Sequence, residues 1–303
     1  MRIASTQYHS TMNTAMQNAS SKLEDVMQQI ASGQKLLKPS DDPITSVRLS
    51  RLTREDAALS QFRDNIGALK SRLQQNESLL TSMNGDMQQA RDLMVWAADG
   101  GNNSADVAAM ASSLEALRDS LYFAANSQDQ EGRYLFSGTL TSTATVGFNA
   151  AAVPGSRYSF NGNLADQKVV VGNGVTQVAN VTLQEMAGML NQLDSTIATL
   201  QTPGVNVSAP AVHTQLATTL TMIDTTMGAI SSKVARLGGA QNILDTLDTN
   251  HANVSLSNKQ AYLSLGQLDY GDAAVKLNGY TTAVQATQKA YSKVSALSLF
   301  NVL

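Results

Sequence analysis

The sequence predicts a mainly α fold, a long antiparallel coiled-coil helical rod that carries a small β-rich inserted domain between its halves. Three observations carry that expectation. Apolar residues alternate at steps of three and four through both halves of the chain, the spacing of a seam that is stable only against another helix. In the middle the pattern changes to period two. The first and last segments each hold half a seam with no partner nearby in sequence, which suits a subunit built for assembly.

Met12, Met16, Ala19, Leu23, Val26 and Ile30 form the N-terminal seam, on a helix running from about residue 6 to Ser32. It stops at Gly33, which takes the left-handed C′ conformation without a Cβ penalty. After a connector, Ser40, Asp41, Asp42 and Pro43 make a helix start: Asp42 at the N-cap can accept from free backbone N–H groups, and Pro43 at the first position has no N–H to leave unpaired. Leu59, Phe62, Ile66, Leu69, Leu73, Asn76, Leu80, Met83, Met87, Ala90 and Met94 then hold the alternation unbroken. That is a helix of roughly 55 residues, about 80 Å long.

A short loop at Ala98 to Gly101 predicts an antiparallel helical hairpin, its second helix opened by Ser104 and Asp106. Arg133 to Gly138 reads as a strand closed by a turn, Tyr158 to Phe160 as another, and Val169 to Val171 as a third that turns at Gly172-Asn173-Gly174 into Val175 to Val178. Leu183, Met186, Leu190, Leu193, Ile197 and Leu200 form an amphipathic helix before a proline-containing linker. Ile223, Met227, Ile230, Val234, Leu237, Gln241 and Leu244 resume the heptad. Leu277, Tyr280, Val284, Tyr291, Val294, Leu299 and Phe300 form the C-terminal seam after Asp269-Tyr270-Gly271-Asp272.

The expected divisions are therefore a terminal helix over 1–40 and a rod half with a β-hairpin over 41–138. A β-rich insert over 139–182 and an amphipathic helix with linker over 183–210 follow. The second rod half covers 211–268 and the last helix 269–303. Asn76 and Gln241 interrupt the two rod seams. Each lies either at a wet edge or at a buried position that fixes helix register.

Only 15% of residues are charged, against about 25% in a typical soluble protein. Ser, Thr, Asn, Gln and Ala occupy the outer positions where a free coiled coil would carry Glu and Lys, and such faces tolerate close lateral contact. A net charge of -3 and the lack of any Lys/Arg run argue against nucleic-acid binding. No stretch approaches the roughly 20 apolar residues of a membrane span, and the first residues lack the apolar core of a signal peptide. Cysteine is absent, which suits a chain threaded unfolded and refolded outside the cell.

No catalytic, cofactor-binding or metal-ligating set emerges. His9, His213 and His251 lie in separate segments without acidic residues at ligand spacing. Asp41-Asp42 reads as a cap, and Gly172-Asn173-Gly174 is too short for a nucleotide-binding fingerprint. Neither an enzyme nor a cofactor is expected.

Ile30-Ala31-Ser32-Gly33-Gln34-Lys35 followed by Pro39-Ser40-Asp41-Asp42-Pro43 resembles the N-terminal signature of the bacterial flagellin family, and the Asp-Asp-Pro form is similar to its hook-filament junction branch. Gly132 to Gly138 resembles the family's step after the helical hairpin. Leu237-Gly238-Gly239-Ala240-Gln241-Asn242 and Ser298-Leu299-Phe300 resemble its C-terminal signatures. These matches span both rod halves and both ends.

The resemblance implies a secreted structural subunit of the extracellular flagellum, stacked as a helical homopolymer at the hook-filament junction. It implies terminal helices disordered in the free monomer that pair on assembly. The implied partners are hook-associated protein 1 on the hook side, flagellin on the filament side and a flagellar export chaperone. Flagellin itself is the nearest alternative, and a secreted helical adhesin or effector is the more distant one.

Overall fold

The computed structural model describes residues 2–99 and 101–300, with side chains described over 7–99 and 101–293. Helices α1 (Arg2–Ser32), α2 (Pro43–Ala97) and α3 (Ser104–Ala125) precede strands β1 (Val146–Phe148), β2 (Tyr158–Phe160), β3 (Lys168–Gly172) and β4 (Val175–Val178). Helices α4 (Gln184–Leu200), α5 (Pro210–Gly266) and α6 (Tyr270–Phe300) complete the chain. It divides into two compact units, Ser60–His251 and the pair Met1–Leu59 with Ala252–Leu303.

In the first unit, α2 buries Ile66, Leu69, Leu73, Asn76, Leu80, Met83, Met87, Ala90, Met94 and Ala97, an unbroken three-four alternation. The facing stripe of α5 buries Leu216, Thr219, Ile223, Thr226, Ile230, Leu237, Ala240 and Leu244. The two helices are antiparallel, as the flanking contacts Arg63–Asp248 at 2.8 Å, Glu77–Gln241 at 2.6 Å, Asn84–Ser231 at 3.0 Å and Arg91–Asp224 at 2.7 Å show. The two exposed ion pairs among them add little energy. The apolar seam carries the association.

The α5 stripe differs from the expected one. Thr226 and Ala240 turn inward, and the half-buried Lys233 holds the position between them, where Met227, Gln241 and Val234 were expected. Lys233 is drawn to that position by the Thr182 carbonyl at 2.7 Å and by an ion pair with Glu185 at the start of α4. A small hydroxyl or methyl on the inward side leaves room for the bulkier side chains at the flank.

The loop between α2 and α3 is as short as expected, but the cap of α3 is Asn103, whose Oδ1 accepts from Ala105 N at 2.9 Å and Asp106 N at 3.0 Å. Arg133 to Gly138 is not a strand. It forms only isolated bridges, Gln128 with Tyr134 and Ser137 with Thr182, because its buried side chains Leu135 and Phe136 fill the core while its backbone finds no continuous partner. Gly138 is held at φ +75° with the Asn163 carbonyl 2.2 Å from where a Cβ would lie, so only glycine fits this turn.

Two hairpins form instead. β1, a strand the sequence pattern did not reveal, pairs with the expected β2, and β3 pairs with β4 through a bulge between Val170 and Gly172. Side-chain amides close the open edges of the first hairpin: Asn126 bonds both backbone groups of Val146, and Asn191 on α4 bonds both of Tyr158. The second hairpin is tied to the long helices. Asn65 donates to the Val170 carbonyl at 2.8 Å, and His251 Nε2 donates to the Val171 carbonyl at 2.8 Å.

Asp194 on α4 is a buried carboxylate, bonded by Arg118 of α3 at 2.9 Å and by Gly155 N at 3.1 Å. Arg157 stands 3.5 Å from the same carboxylate, and Arg118 also bonds Asp119 and Glu115, so neither charge depends on the other alone. Burial beside this cluster pushes the Tyr158 hydroxyl up to about 12.

Asn76 is fully buried, and neither its Oδ1 nor its Nδ2 meets a hydrogen-bond partner among the described residues. Gln241 is half-buried and bonds Glu77. An amide that is unpaired in this register gains nothing by holding it, so neither residue has the geometry of a register device: Asn76 is a buried cost, and Gln241 takes the wet edge. We expect Asn76→Leu to raise the thermal midpoint, corresponding to about 1–3 kcal/mol of relieved desolvation, and Gln241→Leu to shift it little. Thermal unfolding by circular dichroism decides this. A lower midpoint for Asn76→Leu removes the argument.

Candidate functional site

The second unit brings the chain ends together. Helices α1 and α6 pack against each other in opposite directions: the His9 and Tyr291 rings meet edge-on at 5.5 Å, Lys22 lies 5.9 Å above the Tyr280 ring, and Leu268 N donates to the Gly33 carbonyl at 3.0 Å. Every N-terminal seam residue faces inward. Val26 is buried and Met12, Met16, Ala19, Leu23 and Ile30 are half-buried. From the other side Leu277, Tyr280, Val284 and Tyr291 are half-buried. The seam residues Val294, Leu299 and Phe300 fall outside the described side chains.

Each end seam faces the other in this pair. Two helices alone leave that seam incompletely covered. In the other unit the corresponding α2 residues Leu73, Leu80, Met83, Met87 and Met94 are wholly buried.

The connectors lock this pair to the long helices of the same unit. Gly33 is at φ +68°, the left-handed stop expected at the end of α1. Lys35 N donates to the Gly266 carbonyl at 2.8 Å, and Gln34 bridges Gln267. Asp269 opens α6 by accepting from Gly271 N at 2.8 Å and Asp272 N at 3.2 Å. Pairing of the two connectors left no trace in the sequence pattern, since backbone bonds between loops have no side-chain signature.

The helix-start motif is resolved residue by residue. Pro43 is the first residue of α2. Asp42 Oδ1 accepts from Thr45 N at 3.1 Å, and its Oδ2 accepts from the Thr45 hydroxyl at 2.6 Å. Asp41 looks the other way and accepts from Leu37 N and Lys38 N at 3.1 and 2.9 Å, tightening the connector. Ser40 lies exposed in the turn between them. The hydrogen bonds from Thr45 hold the Asp42 carboxyl below its ordinary value.

Threonine hydroxyls along the helices bond inward as well. Thr214, Thr218, Thr221, Thr225, Thr246, Thr282 and Thr287 each donate to the carbonyl four residues before. Among the described residues no cluster of three or more His, Asp or Glu could hold a metal ion, and no helix is long and apolar enough to cross a membrane.

Residues 3–141 match the family model of the bacterial flagellin N-terminal helical region. Flagellar hook-associated protein 3 of Escherichia coli strain K12 is 27% identical over 288 residues, covering 91% of both chains. A solved flagellar hook-associated protein of Vibrio parahaemolyticus is 33% identical, covers 74% of this chain and 99% of its own, and has a TM-score of 0.67. The chain belongs to the flagellar hook-associated protein family. Hook-associated protein 3 of Legionella pneumophila shares the fold, with a TM-score of 0.62 at 15% identity over 71% of this chain and 99% of its own. As a member of this family the chain has a structural role in the bacterial flagellum, in assembly with other flagellar components.

Two measurements test this geometry. Because a depressed carboxyl pKa contributes stability above the unfolded value of 3.8 and loses it as pH falls through the folded value, Asp42→Ala should lower the thermal midpoint at pH 7. The difference from the parent should shrink below pH 3.8; a constant difference would separate the motif from capping. Amide exchange is expected to be faster over 7–30 and 277–293 than over 60–95, since half-buried seams open at lower free energy than a fully buried one. Equal protection in a verified monomer overturns that ranking.

Proposed function

We propose that this chain is the structural subunit that joins the flagellar hook to the filament, polymerising through its terminal helices and templating the first flagellin subunits. The observation that carries the reading is the α1–α6 pair. Two helices from opposite ends of the sequence meet along a seam that is half-buried at all its described residues but Val26, on faces poor in charge. Such a pair gains its remaining burial from neighbours stacked beside it, and that gain offsets the ordering cost of the ends, about 1–2 kcal/mol per residue.

In this role the chain forms a helical homopolymer outside the cell. It meets hook-associated protein 1 on the hook side and flagellin on the filament side. A flagellar export chaperone guards it before secretion, and the absence of cysteine removes the risk of cross-linking during passage. Deleting the gene should leave hooks that release flagellin monomers into the medium without building filaments. Electron microscopy of the cells together with flagellin blotting of the supernatant checks this, and normal filaments on the deletion strain overturn it.

A further inference from the structure

Asparagine followed by glycine occurs four times, at Asn84-Gly85, Asn161-Gly162, Asn173-Gly174 and Asn278-Gly279. Asparagine is a thermally labile residue, and in such a pair no side chain on the second residue obstructs the approach of its backbone nitrogen to the asparagine amide carbon. The fold then decides which pair reacts.

Three of the four are held. Asn84 and Asn278 lie inside α2 and α6, where the following nitrogen belongs to the helical hydrogen-bond ladder, and Asn84 Nδ2 also donates to Ser231 Oγ at 3.0 Å. Asn161 accepts from the Ser159 hydroxyl at 2.9 Å and lays its amide over Gly147. Gly162 packs on the backbone of Ser137, whose carbonyl oxygen lies 2.7 Å from where a Cβ would stand.

Asn173 is different. With Gly174 it makes the exposed two-residue turn between β3 and β4, flanked by the paired Gly172 and Val175. Among the described residues its side-chain amide makes no hydrogen bond and Gly174 N donates to no acceptor. Beyond its chain neighbours, no atom stands within 4 Å of where a Cβ on Gly174 would lie. Nucleophile and target are both uncovered and uncommitted.

We propose that Asn173 is a site of self-modification, where the folded chain converts its own asparagine into aspartate and isoaspartate. Gly174 N gives up its proton and attacks Asn173 Cγ, closing a succinimide ring as the bond from Cγ to the amide nitrogen breaks. That nitrogen takes the proton and leaves as ammonia. Water then adds to one imide carbonyl to give aspartate, or to the other to give isoaspartate, in which the chain runs through the former side chain. Either product adds one negative charge to a chain of net charge -3. Isoaspartate also lengthens the turn by one backbone carbon, which the Gly172–Val175 pair does not accommodate. Because β3 is tied from outside the sheet by Asn65 and His251, the longer turn releases β4. The chemistry needs only the folded chain, so it stands or falls apart from the junction role.

The full-length chain is incubated at neutral and mildly alkaline pH, with and without urea, and its peptides are mapped by mass spectrometry with isoaspartate separated from aspartate. In the native chain deamidation at Asn173 should exceed that at Asn84, Asn161 and Asn278 by about tenfold or more, since each of those must first open locally. It should quicken as pH rises and the glycine nitrogen loses its proton more readily. In urea the ranking should collapse. An intact Asn173, or equal loss at any of the other three in the native chain, overturns the proposal. A ranking that survives in urea belongs to the local sequence instead of the turn, and overturns it as well. Amide exchange across β4 should be faster in the isoaspartate fraction than in the parent, and unchanged exchange overturns the release of that strand.

Discussion

A helix of the length of α2 cannot bury an apolar stripe on itself, and this one constraint organises the chain. Its seam needs a second helix of matching period and opposite direction, and α5 supplies it only after the chain has closed a hairpin, two small sheets and another helix. Fully buried leucines and methionines on one side, and leucines and isoleucines interleaved with small Thr219, Thr226 and Ala240 on the other, give that seam its close fit. The same antiparallel sense persists where Asp56 meets Ser255 and Leu49 lies against Gly266. Within that unit the connectors 33–42 and 266–269 therefore meet, and the end helices with them.

The insert is held by polar groups where the long helices are held by apolar ones. Its strands are too short to support themselves. Asn126, Asn191, Asn65 and His251 each bond strand backbone from outside the sheet, and Asp194 gathers Arg118 and Gly155 around a buried charge. These bonds are directional and specify one placement of the hairpins, which an apolar surface of the same area would leave free to slide.

What could be read from the sequence follows from this division. The seam of α2, the stop at Gly33, the Asp42-Pro43 start and the turn at Gly172 to Gly174 all depend on neighbours within a few residues, and all stand where their local pattern puts them. The burial of Thr226 and Ala240 beside the expected α5 stripe does not, because small residues next to an apolar repeat carry no hydrophobic signal of their own. Nor could Arg133 to Gly138 be told from a strand, since an alternating pattern fixes which side chains are buried and not whether a backbone partner exists. Arg118 and Asp194 lie 76 positions apart, and nothing in either segment advertises the other. At the ends, both seams were legible as seams, while their pairing with each other was a matter of topology.

The threonine hydroxyls that bond back along α5 and α6 alter what it takes to dry those surfaces. A hydroxyl whose proton already points at its own helix has no donor left for water, so covering it strips away only weak acceptor contacts and exposes a methyl group to whatever approaches. Each such residue behaves toward a neighbour more like valine than like serine. The outer helical faces can thus remain wetted in a dissolved chain and still give up their hydration at small cost, a surface soluble by composition and adhesive by conformation.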